Sequence, residues 1–414
     1  MANAASMLLL ALTISAADSA MAKNGDDSQA FSARLQTPRL APVPKEARTP
    51  AQQAMLANRP DYNIYTTLAH DVDLYSHWSP LGQYLLNGSK LPPRHREIVM
   101  LRMGWLCQSE YEWSQHARIA KGDPGLTDAD VHRIAAGPDA AGWSEFERTL
   151  LHMVDELRYD AMIGDKTWQA LRAQYSPEQT LDALYTAAQY QLVSMALNSL
   201  GVQLDAVLKD RLPTDLPAPR LATTPTGKRL SAPRVQPLGS TEWSAEQREL
   251  IAPQIKDGKA PNLYATMINH PALYGPRIRF GAYLRSDSLL PAKTRELLIM
   301  RTAWLLKTPY EWSHHVSSAQ SAGLSDAEIQ RIAAGPGAAG WSEEHQAVLQ
   351  AVDELRREAF ISGKTWATLQ KHYDPKQLVE IVYTTGGYTM TALAINSLGI
   401  QVEEGLPGMP KGER

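Results

Sequence analysis

The sequence predicts an all-α fold built from two tandem helical domains. Three observations carry that expectation. Blocks of sequence recur at a nearly constant offset. Helix start and stop signals bracket segments of helical length. No run alternates apolar and polar residues with the period of two that marks a half-buried strand.

The recurrence is dense. Gly142-Trp143-Ser144-Glu145 returns as Gly340-Trp341-Ser342-Glu343, and Val154-Asp155-Glu156-Leu157-Arg158 as Val352-Asp353-Glu354-Leu355-Arg356. Asn198-Ser199-Leu200-Gly201 returns as Asn396-Ser397-Leu398-Gly399. The offset is 198 or 199 residues (396 − 198 and 315 − 116), too long for a solenoid period, so the chain reads as a duplicated domain. The expected organisation is a leader over 1–22, an extended arm over 23–60, a first domain over 61–209, a Pro-rich linker over 210–240 and a second domain over 241–414. The leader joins an apolar run, Met7 to Ser15, to Ala20-Met21-Ala22. It reads as a secretory signal peptide and implies a periplasmic or secreted protein; an Ala-rich cytoplasmic leader is the alternative. No stretch has the length and apolarity of a membrane span.

Within the first domain, Arg94 to Leu106 carries apolar residues at helical spacing. Thr127-Asp128 opens a short helix that stops at Gly137-Pro138. Ser144-x-x-Glu147 is a capping box that opens a longer one through Leu157. Asp165 or Thr167 opens the next helix, and Pro177 starts the last, which runs to Gly201. His70 and His270 read as C-terminal cations of matching helices.

The densest chemistry lies in Ser109-Glu110-Tyr111-Glu112-Trp113-Ser114-Gln115-His116 and in its copy, Thr308-Pro309-Tyr310-Glu311-Trp312-Ser313-His314-His315. Both read as the first turns of a helix capped by Ser109 or Thr308. Glu112 and His116, like Glu311 and His315, are four apart and so share one helical face. Two readings of these glutamates stay open. Ser109-x-x-Glu112 and Thr308-x-x-Glu311 are capping boxes, whose Glu would turn back to the cap. A carboxylate one turn before an imidazole is also a proton-transfer pair. Arg96-Glu97 and Arg295-Glu296 lie 19 residues before each histidine, where Glu97 and Glu296 either join the site or pair with an arginine.

Composition narrows the function. Lys and Arg total 41 against 44 Asp and Glu, for a net charge of −3, so no nucleic-acid partner is indicated. Cys107 is the single cysteine, which excludes an intrachain disulfide and a Cys-x-x-Cys motif. One Glu and one His per motif supply two ligands only, so no metal site and no cofactor are expected.

Arg94-x-Arg96-Glu97, Tyr111 to His116, Gly125-Leu126 and Trp143 to Leu157, with their copies, resemble the carboxymuconolactone decarboxylase and AhpD-like superfamily over about 60–205 and 260–404. The resemblance implies two compact all-α domains, assembly of homo-oligomers, and an intrachain pseudo-dimer here. Thiol peroxidases of the superfamily use Cys-x-x-Cys-x-x-x-His. Here the two cysteine positions hold Ser109 and Glu112, or Thr308 and Glu311, so the sulfenate and disulfide of a peroxidase cycle cannot form. The expected function is a cofactor-free acid–base lyase or isomerase acting on a small oxo-acid, lactone or aromatic-derived compound. His116, His315, Glu97, Glu296, Glu112 and Glu311 are the candidate catalytic residues. Tyr111, Tyr310, Trp113 and Trp312 are the candidate substrate-binding residues. A thiol peroxidase and a non-catalytic binding protein on the same fold are the alternatives.

Overall fold

The computed structural model describes residues 35–221 and 225–410, so the leader lies outside the described residues. The first half contains α1 (Pro50–Leu56), α2 (Asn63–Leu68), α3 (Val72–Gln83), α4 (Pro93–Leu106), α5 (Glu110–Ala120), α6 (Asp128–Ala136), α7 (Glu145–Asp160), α8 (Asp165–Gln174) and α9 (Pro177–Leu200). The second half repeats the series as α10 (Ala245–Ile251), α11 (Asn262–Met267), α12 (Pro271–Ala282), α13 (Ala292–Leu305), α14 (Pro309–Ser321), α15 (Asp326–Ala334), α16 (Glu343–Glu358), α17 (Gly363–Leu369) and α18 (Pro375–Leu398). Among the described residues there is no β-strand, only an isolated bridge between Lys256 and Lys259. No described helix is long and apolar enough to cross a membrane.

Local chemistry sets the boundaries. Capping boxes at Ser144/Glu147, Ser176/Gln179 and Asp374/Gln377 satisfy the first amides of α7, α9 and α18. Gly201 and Gly399 end α9 and α18 in the left-handed conformation, φ 71° and 68°. The stretch expected as an extended arm contains α1, nucleated by a box between Thr49 and Gln52 and by Pro50 at its first position.

Helices α9 and α18, 24 residues each and almost wholly buried, pack against one another at the centre of the molecule. Gly386 makes the close approach possible: a Cβ there would lie 2.7 Å from Leu192 Cγ. Helices α3 and α12 pack across the same approximate two-fold. In each half a buried arginine ties three helices. Arg102 of α4 grips Asp155 of α7 with two nitrogens, at 2.6 and 2.8 Å, and donates to the last carbonyls of α6; Arg301 and Asp353 repeat this.

The halves also exchange groups reciprocally. Arg158 donates to Arg356 O at 2.7 Å, and Arg356 to Arg158 O at 2.6 Å. Asn198 donates to Ala359 O, and Asn396 to Ala161 O. Arg39 reaches Ile361 O of the second half, and Arg234 reaches Ile163 O of the first. The linker is therefore fastened to both halves, with Arg229 adding bonds to Asp160 O and Leu306 O.

His70 and His270 prove not to be counterparts. His270 is the N-cap residue of α12 and matches Asp71, the N-cap of α3 (270 − 71 = 199). His70 is half-exposed on Ala41 O. His270 is buried, with Nε2 2.9 Å from Asp182 Oδ1 of the first half. The two histidines are one residue out of register, one at the surface and one in the core.

Candidate active sites

Each half brings three helices to one histidine. In the first, α5 presents Glu112 and His116 on one face, α4 lays Glu97 behind the ring, and α9 sets Tyr190 edge-on to it at 4.8 Å. Glu97 Oε2 lies 2.7 Å from His116 Nδ1, and Glu112 Oε1 lies 3.2 Å from Nε2. The imidazole is thus held between two buried carboxylates. Burial alone would lower the His116 pKa. The two carboxylates outweigh it and lift the ring to about 10.

In the second half, Glu296 Oε2 lies 2.8 Å from His315 Nδ1, and Tyr388 stands edge-on at 5.2 Å. Glu311 departs from the pattern. Neither of its oxygens has a hydrogen-bond partner, and the residue is 3% exposed. Burial pushes its carboxyl well above the ordinary range, with Arg277 pulling the other way. No described side chain bonds Nε2 of His315, which borders the cavity.

The capping boxes expected at Ser109 and Thr308 do not form. The residues do sit at the N-cap, but their ψ angles are 98° and 84°, against 158° at the true box of Ser144. Their hydroxyls are turned from the first amides. Ser109 Oγ is buried without a partner, and Glu112 points to His116 instead. The cap-only reading of the two glutamates is thereby corrected.

Each histidine borders a cavity. The first, about 170 Å3, is walled by Trp78, Tyr65, Tyr75, Tyr111 and Tyr190, with Glu112 and His116. The second, about 380 Å3, is walled by Tyr264, Tyr310, Tyr388 and Arg277, with Glu311 and His315. Glu97 and Glu296 lie behind the rings, against Nδ1, rather than on the walls. Tyr111 and Tyr310 do reach the walls, but their hydroxyls are engaged by carboxylates: Tyr111 by Asp205 at 2.5 Å, and Tyr310 by Glu403 at 3.2 Å. Trp113 and Trp312 line neither cavity. They are buried against Trp105 and Trp304, so the expectation of substrate contact is corrected to a core role.

Sequence reasoning missed Tyr190, Tyr388 and Arg277. Tyr190 and Tyr388 recur in register between the halves, a signal that was present. Arg277 has no such signal, because its counterpart is Trp78. Cys107 lies away from both cavities, fully buried 3.8 Å from Met103 Sδ, and burial raises its thiol pKa. Among the described residues no group of three His, Cys, Asp or Glu is placed to hold a metal ion.

The profile of the Carboxymuconolactone decarboxylase family matches the chain twice, over 73–156 and 271–354. Each match contains one Glu–Glu–His set. The chain carries two carboxymuconolactone decarboxylase-like domains in tandem. No curated protein matches it. The matches begin within or at the start of α3 and α12 and end inside α7 and α16. The long core helices of the two carboxymuconolactone decarboxylase-like domains, with Tyr190 and Tyr388, therefore lie beyond the matched segments.

Proposed function

We propose that the protein is a cofactor-free acid–base enzyme acting on a small oxo-acid, lactone or aromatic-derived compound, as a lyase or isomerase. The observation that carries this reading is the pair on the wall of the second cavity: His315 Nε2 without a protein partner, beside Glu311 with both oxygens unpaired. Glu296 at Nδ1 fixes the proton there and leaves the Nε2 lone pair toward the cavity, where it accepts a proton from carbon or oxygen. Glu311, whose carboxyl burial pushes well above the ordinary range, donates a hydrogen bond or a proton to the oxygen on which charge develops. Together they shift a proton between carbon and oxygen, as a keto–enol change or the opening of a lactone requires. Loss of carbon dioxide from a β-keto acid leaves an enolate that the same pair reprotonates.

The test is turnover of a panel of lactones and oxo-acids by the wild type and Glu311→Gln. Gln keeps the volume and supplies a hydrogen bond but cannot give up a proton. Turnover by the wild type and a fall in kcat of about a hundredfold at unchanged Tm support the reading. Full activity of Glu311→Gln from acid to alkaline pH would remove Glu311 as the acid.

A further inference from the structure

We propose that the second cavity alone is a carboxylate-recognition site, with Arg277 as the residue that selects an anionic ligand. This rests on the reading above that the cavities hold substrate, and it adds which cavity does so and for what charge.

Arg277 is 8% exposed and lines the second cavity. Other buried arginines are matched by a carboxylate or by several carbonyls. Arg102 and Arg301 each hold an aspartate with two nitrogens, and Arg158 and Arg356 cap carbonyls of the opposite half. Arg277 has neither. Its polar contacts are with two neutral hydroxyls, those of Thr391 and Tyr185, no described carboxylate lies within ion-pair distance, and its Nε has no partner. Burying an unmatched guanidinium is costly, and the cost is relieved by an anion that arrives with the ligand. The planar fork suits a carboxylate. Glu311, also unpartnered, stands on the same wall. A ligand with a carboxylate on Arg277 and an oxygen function toward Glu311 and His315 completes both. Half-buried Arg285 and exposed Lys256 line the same cavity, so positive charge runs from its rim to its wall.

The first cavity lacks this apparatus at corresponding positions. Trp78 replaces Arg277 (277 − 78 = 199), and Val193 replaces Thr391 (391 − 193 = 198). The Trp78 ring instead packs edge-on against Tyr383 of the second half, 5.2 Å away. Gln189 fills the position of Gly387. The first cavity, about 170 Å3, falls below the ~300 Å3 at which small-molecule sites begin, while the second, about 380 Å3, lies within that range. Its cation is Arg59, half-buried and lying over the rings of Tyr65 and Tyr75.

The experiment is calorimetric titration of the full chain with benzoate and with its neutral isostere, benzamide. One benzoate site per chain is expected, with benzamide at least about tenfold weaker. Arg277→Met, close in volume, should weaken benzoate about tenfold or more and leave benzamide within about twofold. Should Arg277→Met not fold, Thr391→Val is the second variant. It removes one of the two hydroxyls that hold the guanidinium and should weaken benzoate severalfold. The proposal is overturned by the absence of benzoate binding, by two equal sites per chain, by benzoate affinity that survives Arg277→Met or Thr391→Val, or by an effect of Arg59→Met as large as that of Arg277→Met. Arg277-dependent binding without turnover of any panel compound would sink the acid–base reading and leave the carboxylate site standing.

Discussion

The first and second sites share a frame and differ in where one carboxylate points. Both place a buried glutamate 2.7 or 2.8 Å from Nδ1 of a histidine. In the first, Glu112 also closes on Nε2, and the ring is kept as imidazolium between two carboxylates. In the second, the equivalent Glu311 leaves Nε2 open, and burial pushes its own carboxyl well above the ordinary range. One rotated carboxylate separates a closed Glu–His–Glu triad from an open Glu–His pair. Motif identity therefore does not fix where the glutamate points; its surroundings differ, with Trp78 on the cavity wall in one half and Arg277 in the other.

The sharpest way to break this comparison is to remove each histidine alone. His315→Ala should lower kcat by about 10²–10⁴-fold, whereas His116→Ala should change it less than about threefold. Equal losses in steady-state kinetics would mean that the closed triad opens during turnover.

The C-terminal glycines of the core helices sharpen it on the side of stability. A Cβ on Gly399 would lie 2.4 Å from Ala232 O, a backbone atom that cannot yield. On Gly201 the nearest atom is the flexible Leu35 Cδ1, at 2.9 Å. Left-handed alanine costs about 1–2 kcal/mol by itself, so Gly201→Ala should cost about that and Gly399→Ala about 3 kcal/mol or more in urea melts. Equal costs would show that the linker at Ala232 gives way.

Asp71 and His270 offer a pH contrast. His270 pairs with Asp182, but Asp71 faces Glu380, and burial together with that charge pushes its carboxyl up to about 6. The fold prefers protonated Asp71. Its contribution to stability is therefore fully present below the unfolded value of about 4, and is lost as pH rises through about 6. Asp71→Asn keeps a cap acceptor for the Leu74 amide and should raise stability at pH 8, on the order of 2 kcal/mol, with no gain at pH 4. Thermal melts at the two pH values decide it, and a gain equal at both would remove the titration argument.

The smallest effect is expected at Cys107, whose counterpart is Leu306. Cys107→Ser should leave kcat within about twofold, because the thiol touches neither cavity, and should cost about 1 kcal/mol for a buried hydroxyl. Loss of turnover in this variant would reopen a thiol mechanism.

The helices were legible in the sequence because their signals are local: proline at the first turn, a box of polar residues, a glycine at the end. The Glu–His sets were legible because a spacing of four on one face survives duplication. What failed needed distant atoms. A capping box and a glutamate turned toward the histidine share one sequence pattern, and only the ψ of Ser109 and the approach of α4 decide between them. Trp113 and Trp312 sit on the same short helices as the site, yet the tryptophans of α4 and α13 draw them into the core. Arg277 is invisible to repeat comparison, since it marks where the repeats disagree.

The reciprocal exchange of Arg158 with Arg356 joins two halves encoded separately within one chain. In a symmetric homodimer every substitution is made twice, so a change that improves one pocket is imposed on the other and on the shared seam. Fusion lifts that constraint while the seam stays paired. Tryptophan and arginine can then occupy the same station on opposite sides of one axis, and selection can act on each half alone.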